Sequence, residues 1–564
     1  VNDLALRAGS AIGSASTRFA ITTSQSSLVL EGEAGTNANI VVDGASILEL
    51  GTISVGDTLS LNALSGSIDD GRNFADRAEG NANITADTLI IEAAGRIGGF
   101  FVSGSSGGDF ALQTDVRNLQ AKTNAAASAT TIIAVNNTGD LTLTDATEDG
   151  YALRSGSQDA TLDIRTGGDL VIGASIDWNS QSTSGTRDIR IEAGTDSATG
   201  SLTIKDDITA YSAAMTLTAS GQIEQAASTT ILNRAGDLII ASSAGGFTQR
   251  QDAVLTTAQG ELHGNLLISV DGDIALDGVS AGASSVGLKT TGGDVLWNGS
   301  GRLVAGDLII SADTGSVGSL GRDGQPLLLS VDRVAVDADG DIALHNDDTL
   351  TIADLSVALT QATNESSGSG SNIILAVAGI DSDDGGVLVQ TGAGDLVVNN
   401  NVTAGGSYAM PSAGDPLKSG VTGAMTLLSA GGVQVNADVA TADGSLVDIE
   451  AFGGDITAAD STSVNNTDGV VRLAASGDLL LSSIDVGSTT GIISLVAGGS
   501  MTQTQSGLIT ADALRIQAGG NVTLSTDINT VAAVTDGGDI TLTNSGALEI
   551  GTFSTLTIER ELAL

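Results

Sequence analysis

The sequence lacks cysteine altogether and is poor in proline and aromatic residues. Its 564 residues include 3 Pro, 8 Phe, 3 Tyr and 2 Trp. Without Cys the chain can form neither a disulfide framework nor a thiolate zinc site. A globular core of this size normally recruits more aromatic side chains, because each one buries a large apolar area. The few aromatics, among many Ala, Val, Ile and Leu, therefore indicate a narrow core filled in thin layers.

Positive charge is also scarce. The chain has 22 Lys and Arg against 67 Asp and Glu, which gives a formal net charge of −45. Nucleic acids and anionic membranes require clustered Lys and Arg, so we expect neither as a partner. No run of 18 apolar residues occurs, and we expect no membrane insertion. A basic and then apolar leader is not seen either, so we expect Val1 to follow a cleavage or to lie inside a longer chain.

A repeated phrase dominates what is present: Gly, Asp and an apolar residue, with a second apolar residue two places later. Examples are Gly139-Asp140-Leu141 with Leu143 and Gly236-Asp237-Leu238 with Ile240. Gly accepts positive φ and Asp can accept hydrogen bonds from nearby amides, so the first two residues favour a turn. The alternating apolar residues that follow predict a short strand with one inward face.

A longer internal repeat supports the same template. The segment 215–231 (MTLTASGQIEQAASTTI) aligns without a gap to 493–509 (ISLVAGGSMTQTQSGLI). Each unit has short strands, tight turns and no helical period, so alone it cannot bury its apolar face. We therefore predict an all-β parallel β-helix, in which each unit forms one turn of a coil and stacks on the next. At ~20 to 25 residues per turn and ~4.8 Å per strand spacing, the rod would be about 110 to 135 Å long.

We expect one continuous β-helix region over residues 1–564, as part of a longer or processed polypeptide. Three stretches interrupt the rhythm and are predicted to protrude as loops, near 175–188, 360–372 and 404–424. Loops on a rigid scaffold are where binding usually resides.

The segments GDLTLT, GDLII, MTLTASGQI and GGNVTLSTDI resemble the repeats of filamentous-haemagglutinin-like exoproteins and related bacterial β-strand-repeat adhesins. The pattern covers nearly the whole chain. The resemblance implies a right-handed, elongated solenoid, bacterial secretion as a very large polypeptide, and a role in adhesion, biofilm or cell-surface structure. The secretion domain and the toxin-like or anchor domain of that family are not seen, which favours a fragment or processed piece.

Parallel β-helices also include polysaccharide lyases and hydrolases, which need clustered acid, base and substrate contacts. The chain has only His263 and His345, too few for a three-histidine metal site. Adjacent carboxylates such as Asp69-Asp70 and Asp206-Asp207 are expected in the turns of a chain this acidic. We therefore predict no catalysis and no required cofactor.

Calcium is the ion that the acidic turns favour. In the run DADGD, carboxylates at Asp337, Asp339 and Asp341 surround a Gly, and Asp381 and Asp383 provide a second cluster of oxygen ligands. Neither cluster completes an EF-hand loop, which would need a Glu at its twelfth position. We predict these five aspartates as the candidate calcium ligands.

Trp178 and Trp297 are the only tryptophans. Trp297 follows Val295 at alternate spacing, which favours core packing. Trp178 lies in an irregular stretch, so we predict it as a surface residue that contacts a glycan by stacking on a sugar ring.

These patterns predict an extracellular or cell-surface structural and adhesive rod whose partners are host, neighbouring-cell or matrix glycans. Two alternatives stay open. One is a subunit that self-associates end to end or laterally into a fibre or surface layer, because the terminal repeats carry no polar cap. The other is a polysaccharide-acting enzyme on the same fold, which would need a long groove lined by acidic, basic and aromatic residues.

Overall fold

The computed structural model describes most of the chain. The residues described are 3–14, 16–72, 81–99, 111–124, 130–155, 159–178, 187–195, 199–211, 213–234, 236–299, 301–320, 324–360, 372–406, 425–442 and 444–552. Their regular structure consists of β-strands, with no α-helix among them. The predicted all-β class is therefore confirmed for this part of the chain.

The chain divides into two compact units. The first consists of Val1–Gly272, Asp277–Gly282 and Ala358–Ile374, and the second of Asp273–Leu276, Ala283–Val357 and Leu375–Leu564. The single continuous region expected from the sequence stays a prediction.

The strands are short and follow one another closely along the chain. As far as residue 280 they are β1 (Asp3–Ala8), β2 (Phe19–Thr22), β3 (Ser27–Ala34), β4 (Ala38–Asp43), β5 (Ile47–Val55), β6 (Thr58–Ala63), β7 (Ser67–Asp70), β8 (Ile84–Ala93), β9 (Leu112–Thr123), β10 (Thr130–Asn137), β11 (Leu141–Leu143), β12 (Tyr151–Ser155), β13 (Asp159–Thr166), β14 (Leu170–Ile172), β15 (Ser175–Trp178), β16 (Arg187–Ala193), β17 (Leu202–Ile204), β18 (Ile208–Tyr211), β19 (Ala213–Ala219), β20 (Ile223–Gln225), β21 (Thr230–Arg234), β22 (Leu238–Ser242), β23 (Phe247–Gln249), β24 (Val254–Thr256), β25 (Ala258–Gln259), β26 (Leu262–His263), β27 (Leu266–Val270), β28 (Ile274–Leu276) and β29 (Val279–Ser280).

Beyond residue 280 the strands are β30 (Ser285–Thr290), β31 (Val295–Trp297), β32 (Leu303–Ala312), β33 (Leu327–Ala338), β34 (Ile342–Asn346), β35 (Leu350–Ile352), β36 (Asp354–Thr360), β37 (Asn372–Ala378), β38 (Ile380–Ser382), β39 (Val387–Thr391), β40 (Leu396–Val398), β41 (Val402–Ala404), β42 (Met425–Ser429), β43 (Val433–Val435), β44 (Val439–Thr441), β45 (Leu446–Ala451), β46 (Ile456–Ala458), β47 (Ser463–Asn465), β48 (Val470–Ala475), β49 (Leu479–Leu481), β50 (Ser483–Asp485), β51 (Ile492–Ala497), β52 (Met501–Gln503), β53 (Ile509–Ala518), β54 (Val522–Thr535), β55 (Ile540–Asn544) and β56 (Glu549–Ile550).

In much of the first unit, each strand pairs in parallel with the strand three places further along the chain. The series β10, β13, β16, β19 and β22 runs side by side, as does the series β11, β14, β17 and β20. Three consecutive strands thus form a triplet, and each triplet pairs in register with the next. The parallel pairing predicted from the repeats is confirmed here.

The second unit contains the same pairing. The strands β39, β42, β45, β48 and β51 form one series, and β40, β43, β46, β49 and β52 form another. The aligned segments 215–231 and 493–509 each cross three strands in the same order, β19 to β21 and β51 to β53. The internal repeat read from the sequence is therefore a structural repeat.

The core consists of aliphatic columns that run across the strands. One column of the first unit contains apolar residues in register on five neighbouring strands, all at most 1% exposed: Leu162, Ile189, Met215, Leu238 and Leu266. The next residue along several of these strands is buried as well, namely Thr216, Ile239 and Leu267, so strict alternation of buried and exposed side chains does not hold here. Thin aliphatic layers of this kind leave little room for aromatic rings, which explains their scarcity.

The Asp of the repeated Gly-Asp phrase joins one triplet to the next. Asp140 Oδ1 accepts a hydrogen bond from the amide of Asp169 at 2.9 Å. Asp294 Oδ1 accepts one from Ser316 at 2.8 Å in the same way. The amide that Asp satisfies thus belongs to the following triplet and not to its own turn. Each such bond contributes about 0.5–1.5 kcal/mol.

Buried asparagines support two strands that run through the corners of a triplet. The long strand β9 pairs successively with β10, β11 and β12, and Asn137 Oδ1 accepts the amide hydrogen of its Val116 at 2.9 Å. Asn346 Oδ1 does the same for Val331 of the long strand β33, at 2.9 Å. These side chains replace ladder hydrogen bonds where a continuous strand changes partner, so the buried main chain stays satisfied.

The predicted loop at 175–188 is wrong at both ends, because β15 occupies its start and β16 begins at Arg187. Residues 179–186 lie outside the described residues. The same holds for 361–371 and 407–424, which make up most of the other two predicted loops.

Candidate functional site

The two predicted acidic clusters come together in the second unit. Asp337 on β33 and Asp381 on β38 are in register on neighbouring strands, although a long stretch of sequence separates them. Burial raises the pKa of Asp337, and the carboxylates of Asp381, Asp383 and Asp313 raise it further. The arrangement is a stack of like charges, which is repulsive at neutral pH.

Other carboxylates of these clusters bond to neighbouring groups of the protein. Asp341 Oδ1 accepts a hydrogen bond from the amide of Gly386 at 2.9 Å, and the Thr403 hydroxyl donates one to the Asp381 carboxylate. Within the described ranges, no group of three or more His, Cys, Asp or Glu side chains is arranged to hold a metal ion. The five aspartates proposed as calcium ligands do not form such a group: Asp337, Asp339, Asp341, Asp381 and Asp383.

The prediction that Trp178 is a surface residue is wrong. Side chains alternate along β15, so Ile176 and Trp178 point inward while Asp177 points outward. Trp178 is 1% exposed, and its Nε1 donates to the carbonyl of Ala160 at 2.9 Å. A ring buried in this way offers no face to a sugar. The alternate spacing that predicted a core position for Trp297 applies equally to Trp178.

The adjacent carboxylates Asp69 and Asp70 lie at the end of β7 and not in a turn as expected, and each makes an ion pair. Asp70 lies 2.9 Å from Arg72, with the Asp70 side chain 1% exposed. Its neighbour Asp69 lies 2.5 Å from Arg96. Because each carboxylate neutralises an arginine, the pair is not arranged as a general acid and base.

A polar groove of about 680 Å³ lies across β1, β3, β5, β8 and β9 in the first unit. Its floor contains the glycines Gly9, Gly35 and Gly56, and a Cβ on Gly35 would collide with the carbonyl of Gly9. Glu33 and Asp115 lie in one outward column, three strands apart. Their strands are about 14 Å apart, beyond the ~5–9.5 Å of a glycosidase pair. No aromatic side chain is among the described residues that line the groove.

An aromatic surface that the sequence analysis missed lies on β12, β15, β18 and β21 of the first unit, which pair in that order. The Arg154 guanidinium lies over the Tyr151 ring, 4.6 Å from its centroid, and that of Arg234 lies over the Tyr211 ring at 6.0 Å. We refer to these four residues as the Arg–Tyr face. Its signal in the sequence is weak, because the register that joins these strands is not visible there.

A column of charged side chains adjoins this face. Glu92, Lys122, Arg154 and Asp177 are in register on β8, β9, β12 and β15. Burial lowers the pKa of Lys122, and nearby Arg154 adds to this, while Asp145 and Glu92 oppose it. The Nε of Arg154 lies 3.6 Å from the Asp177 carboxylate. Two adjacent cations, flanked by carboxylates, thus mark this surface in an otherwise acidic chain.

A loop between β11 and β12, residues 144–150, covers the neighbouring Gln120. The Asp145 carboxylate accepts hydrogen bonds from the amides of Asp149 and Gly150, at 3.0 and 2.6 Å. Beneath the loop, Gln120 is 1% exposed. We refer to this segment as the Asp145 loop. Its signal in the sequence is the alternation of oxygen-bearing side chains before a glycine, the same feature that marks Asp337 and Asp339 as candidate ligands.

Comparisons with known proteins identify no relative: no family model, curated protein or solved structure matches this chain. Across the part of the chain that the structure describes, no helix is long and apolar enough to cross a membrane. The resemblance to bacterial adhesins therefore stays an expectation from the repeated segments.

Proposed function

We propose that this chain is a right-handed parallel β-helix that serves as an extracellular structural and adhesive rod of a bacterial cell surface or matrix. The observation that carries the proposal is the stacking of triplets, in which each strand pairs in parallel with the third strand after it. Such pairing without helical crossovers is what a coiling chain produces. The right hand is the one adopted by nearly all parallel crossovers.

The distribution of charge suits such a rod. Many carboxylates bond the main chain of the next triplet, as Asp294 does with Ser316, and so reinforce the stack. The net charge of −45 favours solubility outside the cell and disfavours nucleic-acid partners.

The adhesive contact we propose is the Arg–Tyr face, with a host, neighbouring-cell or matrix glycan as its ligand. Tyr151 and Tyr211 are two of only three tyrosines in the chain. Their strands lie about 10 Å apart, and the pairing register places Tyr211 about 13 Å further along the strand direction than Tyr151. A tyrosine ring offers an apolar face to a sugar, and a guanidinium donates to hydroxyl or carboxylate oxygens. The spacing fits an extended oligosaccharide better than a single sugar.

Electron microscopy of the purified chain tests the rod. We expect isolated particles about 110 to 135 Å long, from the strand spacing of ~4.8 Å and the number of turns. Compact globules would contradict the β-helix. Filaments or sheets would instead support self-association, end to end or lateral, as the function.

Glycan-array binding tests the Arg–Tyr face. The double variant Tyr151→Ala, Tyr211→Ala should lose glycan binding at least ten-fold, because both apolar contact surfaces disappear. Phe452→Ala is the control, since Phe452 is an aromatic residue 48% exposed in the second unit. An equal loss in the control, or a wild-type chain that binds no glycan, would contradict the adhesive role.

A further inference from the structure

The Asp145 loop carries oxygen ligands at alternate positions before a glycine. Asp145, Thr147 and Asp149 precede Gly150, and the carbonyl of Tyr151 follows. An EF-hand loop takes calcium ligands from positions 1, 3 and 5, has Gly at position 6 and uses the main-chain carbonyl of position 7. The Asp145 loop matches each of these positions, but the sequence has Gly156 at position 12, where an EF-hand has its bidentate Glu. It also connects two β-strands and not two helices.

A buried amide lies where these oxygens converge. Four oxygens surround the Nε2 of Gln120: Asp145 Oδ1 at 3.2 Å, Thr147 Oγ1 at 3.0 Å, Asp149 Oδ1 at 3.3 Å and the Tyr151 carbonyl at 2.8 Å. An amide nitrogen carries two hydrogens, so it cannot donate to all four. The oxygens therefore outnumber the hydrogens available at their centre.

The other end of the same amide has no partner. The Oε1 of Gln120 is buried and makes no hydrogen bond, in a side chain only 1% exposed. A buried polar atom of this kind calls for an explanation, and an ordered water or a bound ion supplies one. The amide nitrogen and oxygen can exchange places by a half-turn, because their positions are decided by the surrounding hydrogen bonds. After that half-turn, five oxygens would face one point, an arrangement that a bound cation would stabilise.

We propose that the Asp145 loop and Gln120 form a calcium site. Its ligands are the carboxylates of Asp145 and Asp149, the Thr147 hydroxyl, the Tyr151 carbonyl and the Gln120 Oε1. Calcium takes six to eight oxygen ligands in flexible geometry, so water completes the shell. Magnesium is disfavoured, because it keeps most of its water and rarely accepts five protein oxygens.

Lys122 sets the expected affinity. Its ammonium forms an ion pair with Asp149 and lies 3.2 Å from Thr147 Oγ1, so a bound dication would be close to a positive charge. With only two carboxylates in the site, we expect a dissociation constant of about 10⁻⁴–10⁻³ M, the range of extracellular calcium modules. The site requires no glycan, so it stands or falls independently of the adhesive function.

Isothermal titration calorimetry of the full chain with calcium chloride, at roughly physiological ionic strength to screen diffuse binding, tests the site. We expect one saturable site of this affinity per chain.

Asp145→Asn should weaken calcium binding at least ten-fold and Thr147→Val several-fold, because each removes a ligand oxygen. Lys122→Met should tighten it several-fold, because it removes a competing cation. Asp337→Asn makes the same change of charge in the acidic stack of the second unit and should leave the site intact.

Two results would overturn the proposal. One is a wild-type titration without a saturable site of this affinity. The other is a site whose affinity is unchanged in both Asp145→Asn and Thr147→Val. Valine keeps the shape of threonine, so a weakened site in Thr147→Val with an unchanged circular dichroism spectrum reports the lost ligand and not an unfolded loop.

Discussion

The two corners on either side of β11 use aspartate in opposite ways. At the first corner, Asp140 Oδ1 accepts the amide hydrogen of Asp169, which belongs to the next triplet. At the second, Asp145 accepts the amide hydrogens of Asp149 and Gly150, which belong to its own loop. The first carboxylate therefore links neighbouring triplets, whereas the second stabilises the conformation of its own loop.

This difference indicates where function can arise in a chain of repeats. A repeated corner uses its carboxylate to satisfy the main chain, as Asp455 does with the amide of Asp478 at 2.7 Å. Such a group is not available to a ligand. In a corner that does not follow the repeat, the polar side chains can instead point toward one another and bind a ligand. The Asp145 loop is such a corner, and Tyr151 at its end belongs to both proposed sites. Its carbonyl faces the Gln120 amide, and its ring lies under Arg154.

The largest effect that would sharpen this comparison comes from adding a methyl group to a stacked corner. A Cβ on Gly498 would press against the carbonyl oxygen of Ser476 in the preceding triplet, whereas one on Gly139 would meet no atom within 4 Å. We expect Gly498→Ala to destabilise its triplet by about 3 kcal/mol through overpacking, and Gly139→Ala to be nearly neutral. Hydrogen exchange of the flanking strands measures both. Equal protection of these strand amides from hydrogen exchange in the two variants would show that triplets are not closely stacked at this corner.

A smaller effect should follow from removing a joining carboxylate. Asp478 Oδ1 accepts the amide hydrogen of Ser500 at 2.7 Å. Asp478→Ala should destabilise this corner by about 1 kcal/mol, because that amide loses its partner. Asp478→Asn keeps an oxygen acceptor and should cost less. Urea denaturation of the two variants distinguishes them, and equal midpoints would show that charge and not the hydrogen bond matters.

The sequence predicted the strands well, because they depend on local patterns. The phrase Gly139-Asp140-Leu141 led correctly to a turn followed by β11, and alternation correctly assigned Trp297 to the core. The same rule was not applied to Trp178, which lies two residues after Ile176 on β15. The error arose because the residues after Trp178 have an irregular composition. The two-residue period of the strand itself predicts Trp178 correctly as a buried residue.

The calcium site and the acidic stack could not be predicted from the sequence as fully as the strands. The Asp145 spacing is visible in one short segment, but the buried Gln120 amide lies on another strand and reaches it only through the pairing of triplets. The register of Asp337 with Asp381 is equally non-local, because an excursion of the chain separates β33 from β38. Pairing between distant segments is what a local pattern does not specify.

The smallest expected effect concerns this acidic stack, in which Asp337 faces the like charge of Asp381 on the neighbouring strand. The pKa of Asp337 is raised, first by burial and then by Asp381, Asp383 and Asp313. The folded state therefore holds the proton of Asp337 more tightly than the unfolded chain does. The favourable contribution of Asp337 to folding stability is fully present below about pH 4. It is lost as the pH rises through the raised pKa of the folded state.

Asp337→Asn should consequently stabilise the protein at pH 7 by about 0.5 kcal/mol, a small gain because Asp337 is only partly shielded from water, which screens the repulsion. The gain should vanish near pH 3, where the carboxylate is protonated in both states. Urea midpoints at the two pH values measure it. In an Asp381→Asn background the gain should shrink, because the facing charge is already gone. A stabilisation that persists at pH 3 would show that Asp337→Asn acts through packing. Charge repulsion would then not be what distinguishes the acidic stack from the corners that link neighbouring triplets.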